Sequence, residues 1–179
     1  NFIVNQNNFW EHFFKLFKET HKVPSESELI NIFEKDLIEE YLKAEEYEDI
    51  RDKGKKILSK YYENYKTLFV EPIFLEYNFG KKNVFFEDIP LSGKVDKIEV
   101  VEEATNHTEK TKVKVVDYKT MKPKTEGDIL GTTKASSGEY KRQLLFYKLL
   151  AEYDRNFPYE VVSAELDFLE SDKGKYKKY

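Results

Sequence analysis

Cysteine is missing altogether. Its absence excludes disulfides, thiolate zinc sites, cysteine nucleophiles and iron–sulfur clusters. Long apolar runs are missing as well: nothing approaches the roughly 20 residues of a membrane-spanning helix, and no signal peptide is visible. A cytoplasmic chain with no membrane partner is therefore expected. There is no internal repeat, no phosphate-binding glycine loop and no G-x-S-x-G elbow. Nor is there an excess of positive charge, since 30 Lys and Arg face 34 Asp and Glu for a net charge of −4. That balance does not look like a nucleic-acid binder. It is a weak argument, because a carboxylate-rich metal site adds negative charge and a positive groove can be local.

What is present is a chain with 36% charged and 16% aromatic residues, the profile of a folded domain with an aromatic core. The length suits one domain, 1–179, able to bury a proper core. Asn1 and the Phe-rich segment behind it read as a domain processed or excised from a longer chain.

The stretch from Pro90 to Thr120 organises the rest. Its halves, I-P-L-S-G-K-V-D-K-I-E-V-V and K-V-K-V-V-D-Y-K-T, alternate apolar residues and are rich in Val and Ile, so each reads as a strand. The polar break from Glu102 to Lys110, around Asn106, makes a hairpin loop, and the strands are expected to be antiparallel neighbours. Side chains alternate across a strand, so Asp117 and Lys119 share a face while Tyr118 points away. A bent hairpin brings Asp96 alongside Asp117, and two close carboxylates repel unless a cation lies between them. Oxygen donors of this kind suit Mg²⁺ or Mn²⁺, and a neighbouring lysine can orient a water or offset transition-state charge. By itself a D-x-K tripeptide more often marks exposed charge at a strand end.

Around this hairpin the elements follow from local pattern. Asn8 to Thr20 is an amphipathic helix with Phe9, Phe13, Leu16 and Phe17 on one side. Pro24 and a Ser25-x-x-Glu28 capping box start a second helix, with Leu29, Ile32, Phe33 and Leu37 packing and an extension to Ile38. A third runs from about Glu45 or Ile50 to Tyr65 and packs through Leu58, Tyr61, Tyr62 and Tyr65, so 1–68 is a helical part. The sheet occupies 69–170. Phe69 to Phe79 is strand-like, with Pro72 implying an edge or an irregular start. Thr120 to Gly138 reads as either a flexible flap over a substrate groove or a disordered loop. Glu139 to Tyr153 is the clearest helix, and on it Gln143 and Tyr147, four apart, share a face. Val162 to Phe168 alternates as a final strand with one buried face. Lys173 to Tyr179 reads as a basic, aromatic tail or a truncated strand.

The colinear series G-K-V-D (Gly93 to Asp96), D-Y-K (Asp117 to Lys119) and Q-L-L-F-Y (Gln143 to Tyr147) resembles the RecB-like branch of the PD-(D/E)XK nuclease superfamily. There a G-x-[IV]-D strand, a D-x-K strand and a Q-x-x-x-Y helix follow one another. The resemblance runs from His12 to Phe168 and is weak before Phe69. It implies an α/β fold with a restriction-endonuclease-like core: a mixed central sheet of about five strands flanked by helices, and a helical N-terminal third. Asn8 to Phe14 loosely matches the opening G-x-x-x-H helix of that branch, with Asn8 where Gly is usual. The resemblance thus makes His12 a nitrogen ligand, with Glu11 as the fallback. It assigns the metal to Asp96, Asp117, the main-chain carbonyl of Tyr118 and His12, and assigns Lys119 to the nucleophile. Gln143 and Tyr147 would line the site and contact the DNA backbone, with Tyr140 one turn earlier on the same surface. Glu76 would support the fold rather than the metal.

The activity implied is Mg²⁺- or Mn²⁺-dependent hydrolysis of DNA, as the exonuclease module of a helicase–nuclease repair protein partnered by a helicase domain or subunit. Two alternatives stand beside it: an inactive nuclease-fold module that binds DNA or docks on a helicase, and a dimeric restriction-type endonuclease.

Overall fold

The computed structural model describes residues 6–82, 84–172, 175 and 178–179. The chain falls into two compact units: 1–71 with 118–123 and 168–176, and 72–117 with 124–167 and 177–179.

The first unit is built on three helices, α1 (Gln6–Thr20), α2 (Glu26–Ile38) and α3 (Ala44–Tyr65). Helix α2 starts at the capping box: the Ser25 hydroxyl accepts from the Glu28 N–H, and the Glu28 carboxylate accepts from the Ser25 N–H at 2.7 Å. These bonds satisfy two donors that a helix start otherwise leaves without partners. The core is aromatic. Trp10 packs against Phe9, Phe13, Phe14, Tyr61 and Phe69, and it stacks on Tyr118 at 4.8 Å with 20° between the rings. Tilted and edge-on contacts let so many rings share one core, because ring edges are positive and ring faces negative. Helix α2 extends to Ile38 as the sequence pattern has it, and Ile38 itself is exposed.

The second unit carries a sheet in the order β1 (Pro72–Asn78), β4 (Lys94–Glu102), β5 (Lys112–Lys119), β6 (Glu160–Phe168). Strand β4 runs antiparallel to both β1 and β5. Strand β6 follows the direction of β5, since Glu160 N–H bonds to Thr111 C=O and Leu169 N–H to Lys119 C=O, each at 3.0 Å. The sheet is therefore mixed. Pro72 opens an edge strand, where a missing N–H costs no ladder bond. Glu76 pairs with Lys94 across β1 and β4.

Four expectations need correction. Among the described residues the sheet has four strands rather than about five, because β2 (Val84–Phe86) and β3 (Ile89–Leu91) pair with each other as a separate hairpin. The single strand expected from Pro90 onward is thus divided, and β4 begins just after Gly93.

The segment 120–138 is not a disordered loop. It holds a short helix, α4 (Glu126–Leu130), with a Thr125–Asp128 capping box and Gly131 as a left-handed C-cap at φ 75°. The Asp128 carboxylate also accepts from Thr133 Oγ1 at 2.7 Å. Two of its three glycines are there for geometry: Gly131 and Gly138 both have φ near 75°, and a Cβ on Gly131 would lie 2.6 Å from the Gly138 Cα.

Strand β6 does not keep one buried face, since Leu166, Asp167 and Phe168 are all buried. Of the terminal residues read as a tail or a truncated strand, 173–174 and 176–177 lie outside the described residues. Tyr179 exchanges two backbone bonds with Leu166, in the manner of a strand.

Asp167 belongs to a charged chain across the sheet. Lys97 meets Glu99 at 2.7 Å, Glu99 meets Lys114 at 2.6 Å, Lys114 meets Glu165 at 3.3 Å, and Lys178 joins Glu165 at 3.2 Å and Asp167 at 2.6 Å. Burial opposes ionisation of Glu99, but the ammonium groups of Lys97 and Lys114 outweigh it and hold its pKa below the usual value. Burial pulls Lys97 down against the same partner. Removing one member of such a buried set leaves the others uncompensated, at a cost of about 3 kcal/mol. Glu99→Gln is therefore expected to lose about that much in urea unfolding at pH 7. Because the Glu99 pKa is depressed, its contribution is present above the ordinary carboxylate range and lost as pH falls through the folded value. The variant should accordingly show a shallower acid limb, and equal acid limbs would contradict the account.

Candidate active site

The register of the β4–β5 hairpin pairs Lys97 with Val116 and Ile98 with Val115. Continued by one residue, it sets Asp96 opposite Asp117. Directly opposed residues share a face of the sheet, and this face is the one covered by α5 (Glu139–Tyr153). Val113 and Val115, which precede Asp117 at the same strand period, lie in one core cluster with Tyr147 and Leu150 of that helix. Lys119 follows Asp117 at the same period, at the end of β5. The alternation that turns these two to one side turns Tyr118 to the other, where its ring stacks on Trp10.

Helix α5 delivers two donors to a single carboxylate oxygen. Tyr147 Oη donates to Asp117 Oδ1 at 2.6 Å, and Gln143 Nε2 lies 2.9 Å from the same atom and 2.7 Å from Tyr147 Oη. The i, i+4 spacing read from sequence is what permits this. Both side chains, expected to contact DNA, are thus engaged with Asp117, and Tyr147 is only 5% exposed. Burial drives the Tyr147 phenol well above its ordinary pKa, the charge of Asp117 adds to it, and Asp96 contributes a smaller push. The phenol therefore remains a donor through the physiological range.

Gly93 makes the approach of the helix possible. A Cβ at this position would collide with Leu150 Cδ1 and lie 3.6 Å from Phe146, so the glycine of G-K-V-D serves helix-to-strand packing rather than chain flexibility. Tyr140, one turn before Gln143, lines a shallow hollow with Lys124, Ser136 and Ser137.

His12 lies on α1 in the first unit. Its Nδ1 sits 3.0 and 3.1 Å from the two carboxylate oxygens of Asp36 on α2. Asp36 is buried beside Leu29, Phe33 and Leu37, while the His12 side chain is 51% exposed. Burial pushes the Asp36 carboxyl up, and the bond to His12 only partly offsets that. Sequence reasoning passed over Asp36. The signal was present: an Asp seven residues after Leu29 and three after Phe33 falls on the apolar stripe of α2, where a charge is expensive.

Among the described residues, no three His, Asp or Glu side chains gather closely enough to hold an ion. The Asp96–Asp117 pair remains, and its hard oxygen donors suit Mg²⁺ or Mn²⁺, ions commonly held by one or two carboxylates with water completing the shell. The donor set fits such an ion.

The sequence profile of the PD-(D/E)XK nuclease superfamily matches residues 10–178, and the chain belongs to that superfamily. Its mixed sheet with flanking helices is the restriction-endonuclease-like fold of that class. Membership implies a nuclease hydrolase, a class that generally uses Mg²⁺ or Mn²⁺. No curated protein matches the chain. Among the described residues, no helix is long and apolar enough to cross a membrane.

Two outcomes follow. Gly93→Ala is expected to cost about 1–3 kcal/mol in urea unfolding through overpacking against Leu150; a neutral result would remove the close-approach argument. For Tyr147, a raised pKa means that the folded state retains its proton while the unfolded chain ionises near pH 10, so stability is full below about pH 10 and falls above it. Burial and then Asp154 push Tyr77 the same way, to about 12. Tyr147→Phe should lower stability at pH 7 by about 1 kcal/mol and flatten the alkaline decline of Tm between pH 9 and 11. An unaltered decline would contradict the assignment.

Proposed function

We propose that the chain is a Mg²⁺- or Mn²⁺-dependent deoxyribonuclease hydrolysing phosphodiester bonds of DNA. The observation that carries this reading is the cross-strand pair Asp96 and Asp117, with Lys119 at the same strand period beyond it. Asp96, Asp117 and the main-chain carbonyl of Tyr118 hold the ion, and the resemblance adds His12 as a nitrogen donor. When bound, the ion polarises the scissile phosphate and makes water a stronger acid.

The other roles belong to the chain's own side chains. Asp117 is kept in one orientation by Tyr147 and Gln143, so its second oxygen is aimed without a conformational search. The Lys119 ammonium orients the attacking water and offsets negative charge that builds on the phosphate oxygens. Gln143 and Tyr147, with Tyr140 beside its polar hollow, orient the DNA strand.

The order of motifs further supports the RecB-like branch and, within it, an exonuclease module of a cytoplasmic helicase–nuclease repair protein, with a helicase domain or subunit as partner. That assignment rests on resemblance.

The test is cleavage of linear and circular duplex and single-stranded DNA. Degradation should require Mg²⁺ or Mn²⁺, stop with a chelator, and fall by a factor of about a thousand or more in Asp96→Asn, Asp117→Asn and Lys119→Ala. An exonuclease degrades linear substrate and leaves covalently closed circles intact; cleavage of circles favours the endonuclease. Wild type as inert as the variants with both metals would end the enzyme reading in favour of a binding module.

A further inference from the structure

We propose that Lys56 and Lys60 on α3 bind backbone phosphates of the DNA strand, in a hollow beside the end of β5. This rests on the reading of the chain as a DNA nuclease. A chain of net charge −4 needs a local positive surface to hold such a substrate.

Charge is segregated along α3. Its first part, 44–52, carries five acids and one arginine, whereas 53–62 carries four lysines and no acid. The helix dipole does not account for these lysines, because it acts within the last turn and no basic residue lies there. Two of the four are paired: Lys55 meets Glu34 at 2.5 Å, and Lys53 meets Glu170 at 3.8 Å. Among the described residues, Lys56 and Lys60 have no carboxylate partner. Asp52, one turn before Lys56, pairs with Arg51 at 3.2 Å. Lys56 and Lys60 are four apart, so two ammonium groups stand side by side on the helix, which is destabilising until an anion lies between them.

These two side chains line a hollow of about 130 Å³ with Ile57, Leu169, Glu170 and Ser171. That is well below the roughly 300 Å³ of a small-molecule site, and it suits one phosphate group of a chain lying across the surface. Ser171 adds a hydroxyl donor, Ile57 and Leu169 supply an apolar wall, and Lys53 offsets the charge of Glu170. The wall adjoins the end of β5, since the Leu169 N–H donates to the Lys119 carbonyl at 3.0 Å. All of these residues belong to the first unit.

The test is fluorescence anisotropy of a labelled single-stranded oligonucleotide in EDTA, over a series of salt concentrations. Each phosphate contact contributes about 0.7 to the slope of log affinity against log salt for single strands. The variant carrying both Lys56→Ala and Lys60→Ala should therefore lower that slope by about 1.4, and weaken binding equally for unrelated sequences. In cleavage with Mg²⁺ it should raise KM rather than lower kcat. Lys55→Ala, whose ammonium is held by Glu34, should leave the slope unchanged. An equal fall in that variant would show a general effect of net charge and overturn the assignment. If the double variant keeps the wild-type slope and KM while Asp117→Asn abolishes cleavage, the phosphate site is wrong and the nuclease reading stands. If wild type neither binds nor cleaves DNA, the nuclease reading fails and takes this inference with it.

Discussion

The constraint on which the candidate site depends is the register of one hairpin. Because side chains alternate with period two, a slip of one residue between β4 and β5 would send Asp96 and Asp117 to opposite faces of the sheet. The observed pairing of Lys97 with Val116 excludes that slip. Register is enforced by burial on both sides. Ile98, Val113 and Val115 belong to the core under α5, while Lys97, Glu99 and Lys114 on the other face are locked into ion pairs. Moving either strand by one residue would exchange the two sets, exposing valines and driving ammonium groups into the apolar core. The carboxylate pair is therefore placed by residues that take no part in chemistry.

Helix α5 supplies the second level of order. Its apolar residues join the sheet core through Leu150 and Ala151, and Gly93 lets the backbone of the strand approach. With that contact made, Tyr147 and Gln143 stand where both reach Asp117 Oδ1. Gly93, Asp117 and the Q-x-x-x-Y helix are thus parts of one packing arrangement.

Much of this was legible from the chain alone. Val and Ile alternation marked the two strands, the Ser25-x-x-Glu28 box marked the start of α2, and the four-residue spacing of Gln143 and Tyr147 put them on one helix face. Other features were hidden for identifiable reasons. Strands β2 and β3 form a tight hairpin through Glu87 and Asp88, but three residues each are too few for alternation to mark them off from the strand that follows. The short helix within 120–138 was hidden because glycine has two uses, and composition does not distinguish freedom from a required left-handed φ. Asp36 was overlooked because helix reading counts apolar residues on a stripe and passes over the polar one among them. The burial of Lys97 and Glu99 was invisible for the converse reason: charged residues are read as exposed unless their partners in neighbouring strands are known.

Hairpin register, the packing of α5 and the hydrogen bonds to Asp117 converge on a single place, the gap between two carboxylates on the helix-covered face of the sheet. The most direct test is anomalous scattering from crystals of the protein soaked in Mn²⁺. The account requires a manganese peak in contact with both Asp96 and Asp117. Full Mn²⁺ occupancy elsewhere, with no peak between these two side chains, would contradict it.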